Sequence, residues 1–371
     1  MPEPALAPAS SSPVPAGAAV RPRLAALDAA RALGVLAMVM GHTLDAVLSP
    51  AARQTPAMIQ YWHARGLTAP LFLLVSGWAV TLAISRSGAR GWAVPRSRLR
   101  RVLLLLVIGY ALRWPGWAQE RLQAGDREIW AHFLAFDVLH CIAVVLLIAS
   151  LVLALPWRAP ARAAILAALA LLAAALGAGA GTPGQIQGPA HLPHSLLLLG
   201  LLQVVGGTSP FPVVPWAAYF LAGTVVGLLA PAERRGALAM AVAGAVLVGA
   251  ALQFPGLGDR PAGDPVLIGF RIGVVVAVLA ALELVPATLA RRAAPLGKSS
   301  LGVYAIHVPI VYGWSHIAGL SWRVGPTLGT AAAAAVAVLV LAVSFAAYRA
   351  VAAAARLAAG RWRTVRILWP T

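Results

Sequence analysis

The residues able to do acid–base chemistry in this 371-residue chain are few, and several stand where charge is costly. The stretch from Arg21 to Trp78 opens with an apolar run long enough to cross a bilayer, yet that run carries Asp28, Arg31, His42 and Asp45. A charge at the middle of a membrane helix costs roughly 2.5–3.5 kcal/mol on insertion scales, so such residues are usually paired or functional. Asp28 and Arg31 are three apart and share a helix face, as do His42 and Asp45. The first pair reads as a structural ion pair or an anchor. In the second, Asp45 is expected to orient the His42 imidazole; the plainer reading is a His bonded to a neighbouring helix. His63 follows Tyr61-Trp62, just before the chain re-enters the membrane near Gly66. It reads as a general base reachable from water and from the membrane interior, or as an interfacial His beside an aromatic belt.

Other ionisable residues recur further along. Asp137 and His140 repeat the acid–His spacing and suit a proton relay, a substrate site or packing. Arg271 cannot lose its charge, so within a span it needs a carboxylate or a ligand anion; Asp137 or Asp264 would serve. His307 lies in LGVYAIHVPIVYGW, where a His bonded to another helix is the default. The loop 86–101 holds six Arg, among them Arg96, Arg98, Arg100 and Arg101. Such loops set orientation, and they also offer an anionic cofactor a positive field. No HExxH or HxxxH spacing occurs on one helix, His191 and His194 lie in a Pro/Gly-rich loop, and no metal is expected.

The elements that must position these residues are membrane helices. The chain is 60% hydrophobic and 11% charged, against about 25% charged in soluble domains. Residues 1–20 form a Pro/Ala/Ser tail expected to be disordered, without the basic start and apolar core of a signal peptide. Residues 21–371 are expected to form a single membrane domain. A span needs about 20 apolar residues. Ten segments qualify: 24–48, 66–86, 99–114, 130–155, 161–180, 212–230, 236–254, 265–287, 299–319 and 327–355. The run 195–205 is too short and reads as interfacial or re-entrant. With both termini cytoplasmic, 20 Lys and Arg fall inside and 7 outside, as cytoplasmic enrichment in basic residues requires. The net charge of +18 therefore reflects topology and not a nucleic-acid partner. This orientation puts most ionisable groups in the outer half of the membrane. Spans five and ten are nearly pure Ala, Leu and Val and suit a lipid-facing rim. The single Cys141 excludes an intramolecular disulfide.

Several stretches carry a resemblance. They are Leu27-Asp28-Ala29-Ala30-Arg31 into MVMGH, His63-Ala64-Arg65-Gly66-Leu67-Thr68 into FLLVSGW, FDVLHCIAVVLL at 136–147, PFPVVPWAAYFLAGTVVG at 210–227 and LGKSSLGVYAIHVPIVYGW at 296–314. In order and spacing the chain resembles the catalytic domain of the heparan-α-glucosaminide N-acetyltransferase family, related to the acyltransferase-3 proteins of the wider transmembrane acyltransferase superfamily. The resemblance implies acetyl transfer from cytoplasmic acetyl-CoA to an amino sugar across the membrane, with His63 at the position of the family's key His. His42 falls where the lysosomal enzyme has Asn, and the connection leading to the SG pair is shorter here. The luminal domain of that enzyme is missing, so heparan itself is not the expected acceptor.

The reading is thus an all-α polytopic bundle of about ten helices in a bacterial cytoplasmic membrane, working as an acetyl-CoA-dependent N- or O-acyltransferase. Its expected partners are acyl-CoA, an extracytoplasmic glycan or small amino-sugar acceptor, and the lipid bilayer; a homodimer is left open. His63 would deprotonate the acceptor and His42 position it or stabilise the oxyanion. Asp28, Arg31, Asp45, Asp137, His140, Arg271 and His307 would line the substrate site, and Arg96, Arg98, Arg100 and Arg101 would hold the CoA phosphates. The alternative is a proton-coupled transporter or flippase that uses the buried His and Asp residues, which would call for inverted repeats that the sequence does not show.

Overall fold

The structure, a computed structural model, describes residues 22–87, 94, 96–178, 195–230 and 234–361. The N-terminal tail, much of the basic loop after residue 87, and the His191/His194 loop lie outside them.

The secondary structure of the described residues is helical apart from one hairpin of two two-residue strands. In order it forms α1 (Pro22–Val47), α2 (Pro50–Arg53), α3 (Pro56–Arg65), α4 (Thr68–Ser87), α5 (Arg96–Leu112), α6 (Gln119–Gln123), α7 (Arg127–Leu134), α8 (Val138–Ala154) and α9 (Ala159–Gly177). Then follow α10 (Leu196–Val205), α11 (Val213–Leu229), α12 (Arg234–Ala251), α13 (Pro265–Leu284), α14 (Ala287–Lys298) and α15 (Ser300–Tyr312). The hairpin β1 (Gly313–Trp314) and β2 (Ile317–Ala318), α16 (Leu320–Arg323) and α17 (Thr330–Arg361) complete it.

Each of the ten expected segments contains a helix. Among the described residues, five helical stretches are long and apolar enough to cross a membrane, or up to seven if each of two bent pairs counts as one span. The first bent pair breaks by 57° around Trp114-Pro115, where proline cannot donate the next helical hydrogen bond. The second bends by 58° between α7 and α8, where Asp137 turns its side chain back to cap α8. The segment expected over 299–319 stays helical only to Tyr312. Gly313 then takes φ of +90°, a backbone that favours glycine, and the hairpin follows. At 1.5 Å per residue, the ten residues of α10 reach about 15 Å, half the thickness of the hydrocarbon core.

Helix α1 is the hub. It packs against α4, α13, α14, α15 and α17, and 61% of its apolar window is buried, against 22% in both α9 and α17. The Ala/Leu/Val-rich helices thus form the rim, as their composition implied. Helix α11 lies on α4, α8 and α9. It approaches α4 so closely that a Cβ on Gly223 would strike the backbone carbonyl of Leu74, which gives the Gly223-x-x-x-Gly227 spacing its use. The largest buried cluster joins α8 and α11 through residues such as Leu139, Val145, Phe220 and Ile268 of α13.

Candidate active site

Five helices, α1, α4, α8, α11 and α15, contribute to the walls of both of two cavities. The larger, of about 480 Å³, is basic: Arg31, Arg98, Arg101 and Lys298 face it, with Ser76, Ser97 and Ser300 among its polar walls. Asp28 stands 3.6 Å from Arg31, and it is the one carboxylate paired with these four cations among the described residues. The cavity therefore has room for several negative charges. Leu105, Ile142 and Phe220 make part of its wall apolar.

The second cavity, of about 240 Å³, is lined by His42, Arg65, Asp137, Arg271 and Tyr304 over an apolar floor that includes Met38 and Trp216. Phe72 of α4 lines both cavities. Along α1, Arg31 and His42 are eleven residues apart, about 16 Å at the helical rise.

The imidazole of His42 is oriented by a chain of hydrogen bonds. His42 Nδ1 lies 2.9 Å from His307 Nε2, and His307 Nδ1 lies 2.9 Å from the carbonyl oxygen of Val303. A carbonyl oxygen only accepts, so His307 carries its proton on Nδ1. Two imidazoles this close, one of them fully buried, are held as the neutral pair. A neutral His307 then offers a bare Nε2, so His42 donates from Nδ1, and the lone pair left on His42 is at Nε2. These assignments follow from the hydrogen-bond network. The two rings stack at 5.2 Å, and Tyr312 packs edge-on against His42 at 5.6 Å.

Asp137 is held from two sides. Val138 N–H donates to its Oδ1 at 2.6 Å, and the Tyr304 hydroxyl donates to its Oδ2 at 2.8 Å. Tyr304 and His307 are one turn apart on α15, so one helix orients both the carboxylate and the imidazole of the cavity.

Other expected residues go elsewhere. Asp45 does not orient His42; it pairs with Arg65 and, at 3.7 Å, with Arg53, because the chain after α1 folds back as α2 and α3 and brings both guanidinium groups over it. His140 is buried away from both cavities, and its Nδ1 accepts the Asp137 backbone N–H in a capping box at 3.1 Å. His63 is on α3 with its side chain exposed and is not among the lining residues, although Arg65 and Gly66 just after it are. Of the four arginines expected to hold CoA phosphates, Arg98 and Arg101 face the basic cavity; Arg96 and Arg100 are exposed and do not. Asp28 and Arg31 form the expected ion pair, and Arg31 also faces the basic cavity.

Sequence reasoning did not single out Phe72, Tyr304 or Lys298. Tyr304 left a trace in its spacing of three from His307. Phe72 left none, because an apolar residue in an apolar span has no signature. Among the described residues, no group of three or more His, Cys, Asp or Glu side chains could hold a metal ion.

The sequence model of a family described as heparan-alpha-glucosaminide N-acetyltransferase, catalytic, matches residues 23–257. No curated protein matches the chain. The matched region runs from the start of α1 into the turn after α12 and contains His42, His63, Arg98, Arg101 and Asp137, while Arg271, Tyr304 and His307 lie beyond it. With more than half of its 371 residues matched, the chain belongs to the heparan-alpha-glucosaminide N-acetyltransferase catalytic-domain family and is a membrane acetyltransferase.

Proposed function

We propose that the protein moves an acetyl group from cytoplasmic acetyl-CoA to the amine or hydroxyl of an amino sugar or glycan on the opposite face of the membrane. The observation that carries this reading is the pair of cavities that share Phe72 as a lining residue, one rich in cations and the other holding an oriented imidazole. In this reading the ten helical segments all span, both termini are cytoplasmic, and the membrane is the cytoplasmic membrane of a bacterium. The basic cavity then opens to the cytoplasm, in line with the excess of Lys and Arg assigned to that side.

Arg98, Arg101 and Lys298 hold the phosphates of CoA, with Arg31 kept in place by Asp28. The pantetheine arm passes Phe72 and presents the thioester carbonyl beside His42. An amine acceptor reaches the site from outside as its ammonium form and must first lose a proton; the exposed His63 takes it. The neutral amine then attacks the carbonyl carbon. As the C–N bond forms, the attacking nitrogen gives its second proton to Nε2 of His42. Collapse of the tetrahedral intermediate breaks the C–S bond, and His42 returns that proton to the departing thiolate. The products are the amide and free CoA. Arg65, held by Asp45 at the cavity wall, is the cation best placed to favour the oxyanion. Family membership does not favour the transporter alternative, which needs no acyl donor.

The test compares two variants by steady-state transfer from acetyl-CoA to glucosamine. His42→Ala should lower kcat by about 10²–10⁴-fold at every pH, the usual worth of a positioned base. His63→Ala should show a defect that shrinks as pH rises, because more of the acceptor then arrives already deprotonated. Parental turnover by a folded His42→Ala variant would remove His42 from the chemistry.

A further inference from the structure

Arg65 reaches the cavity of His42 from a bracket built outside it. On α3, Met58, Trp62 and Arg65 follow one another at spacings of four and three and so share a face. Met58 is buried, and Trp62 packs against the cluster that holds Val47, Leu48 and Met58 at the end of α1. The indole seats two cations: the guanidinium carbon of Arg53 lies 5.1 Å from its ring centroid and that of Arg65 5.3 Å. Both arginines also share the Asp45 carboxylate. Arg53 is fixed in its turn, because it donates to the carbonyl oxygens of Asp45 at 2.5 Å and Leu48 at 3.2 Å, where α1 ends. Gly41 leaves the space that Arg65 fills: a Cβ there would stand 2.6 Å from Arg65 Nε and 3.3 Å from its Cδ. The Arg65 side chain therefore crosses α1 at the residue before His42.

One carboxylate shared by two guanidinium groups leaves a positive charge over, and the two cations repel each other. The indole face offsets that repulsion, because its negative quadrupole attracts a cation within about 6 Å of the centroid. A planar guanidinium laid on a ring also gives up the rotations that a long side chain would otherwise keep. The oxyanion that forms during acetyl transfer gains most from a donor already in place, which costs no reorganisation as charge develops. Trp62 is not among the residues lining either cavity, so what it contributes passes through Arg65.

We propose that Trp62 is a positioning residue: its indole, together with Asp45, holds the Arg65 guanidinium across Gly41 and aims it at the charge that develops on the thioester carbonyl oxygen. This rests on the acetyl-transfer reading and adds to it the group that aims its cation.

Transfer from acetyl-CoA to glucosamine by the purified full-length protein tests it. Trp62→Leu should lower kcat about 3- to 30-fold, the worth of a cation–π contact, and leave the glucosamine KM within about twofold of the parent. Its acetyl-CoA Kd should match the parent and so show that the variant is folded. Trp62→Phe keeps a ring face and should recover part of the loss. In an Arg65→Gln background, Trp62→Leu should change kcat by less than about twofold, because the ring then has no cation to hold. Loss of kcat by the same factor in both backgrounds, as a merely structural role would give, overturns the proposal. So does parental kcat in a folded Trp62→Leu variant. Labelling of Arg65 by phenylglyoxal, located by mass spectrometry, reports the hold on the side chain without turnover. It should speed up at least about threefold in Trp62→Leu and less in Trp62→Phe; unchanged labelling overturns the proposal. If Trp62→Leu does not fold, Trp62→Phe carries both comparisons. If the parent acetylates nothing, faster labelling upholds the hold of Trp62 on Arg65 while the acetyl-transfer reading falls.

Discussion

Replacing His307 with phenylalanine tests the assignment of the His42 lone pair without touching the cavity wall. His307 is fully buried and lines neither cavity, so its part in the account is to fix the tautomer of His42. The bond at stake is the 2.9 Å contact between His42 Nδ1 and His307 Nε2. A neutral hydrogen bond contributes about 0.5–1.5 kcal/mol net, which corresponds to a fall in kcat of about 2- to 13-fold. A larger loss, towards the 10²–10⁴-fold of a missing base, would mean that the freed imidazole moves its proton to Nε2. Val303 keeps its helical acceptor role, so most of the fold should survive. His307→Gln is the informative companion, because its amide oxygen can accept from His42 Nδ1–H and should recover part of the rate. The assay is single-turnover acetyl transfer with acetyl-CoA bound beforehand, alongside its Kd, which should not move. A folded His307→Phe variant with parental kcat, or a Gln variant no better than Phe, would refute the tautomer argument.

Three further outcomes follow from the same geometry. Arg98→Gln with Arg101→Gln should weaken acetyl-CoA binding about tenfold or more, measured by calorimetry, and should flatten its dependence on salt; Arg96→Gln with Arg100→Gln should do much less. Phe72→Trp should block transfer while acetyl-CoA still binds, as read by kcat against Kd, because in the proposed path the thioester arm passes this residue, which lines both cavities. Gly223→Leu should lower thermal stability by about 1–3 kcal/mol or prevent folding, since α11 would be pushed off the Leu74 carbonyl.

The helices were legible because apolar length and charge placement act locally. All ten expected segments carry helix, and the rim position of α9 and α17 followed from their Ala/Leu/Val composition. What the sequence hid was pairing over distance. His42 and His307 are 265 positions apart, so the nearer Asp45 looked like the natural partner of His42. That inference failed because α2 and α3 deliver Arg53 and Arg65 to Asp45, and two guanidinium groups outcompete a neutral ring for a carboxylate. Asp137 and His140 shared the same spacing but serve partly as a helix cap, a use that spacing alone does not distinguish from a relay. The Arg-rich loop pointed to a binding surface but not to which arginines; helix α5 turns Arg98 and Arg101 to the cavity and leaves Arg96 and Arg100 outside it.

The central claim is that one acetyl group crosses the membrane through two cavities while its carrier stays behind. Proteoliposomes holding the protein in one orientation, with radiolabelled acetyl-CoA on the side of the basic cavity and an amino-sugar acceptor on the other, test it directly. The account predicts labelled N-acetyl product on the acceptor side, free CoA retained on the donor side, and loss of the product in His42→Ala. Product formed only when donor and acceptor share one side, or intact acetyl-CoA appearing with the acceptor, would contradict it.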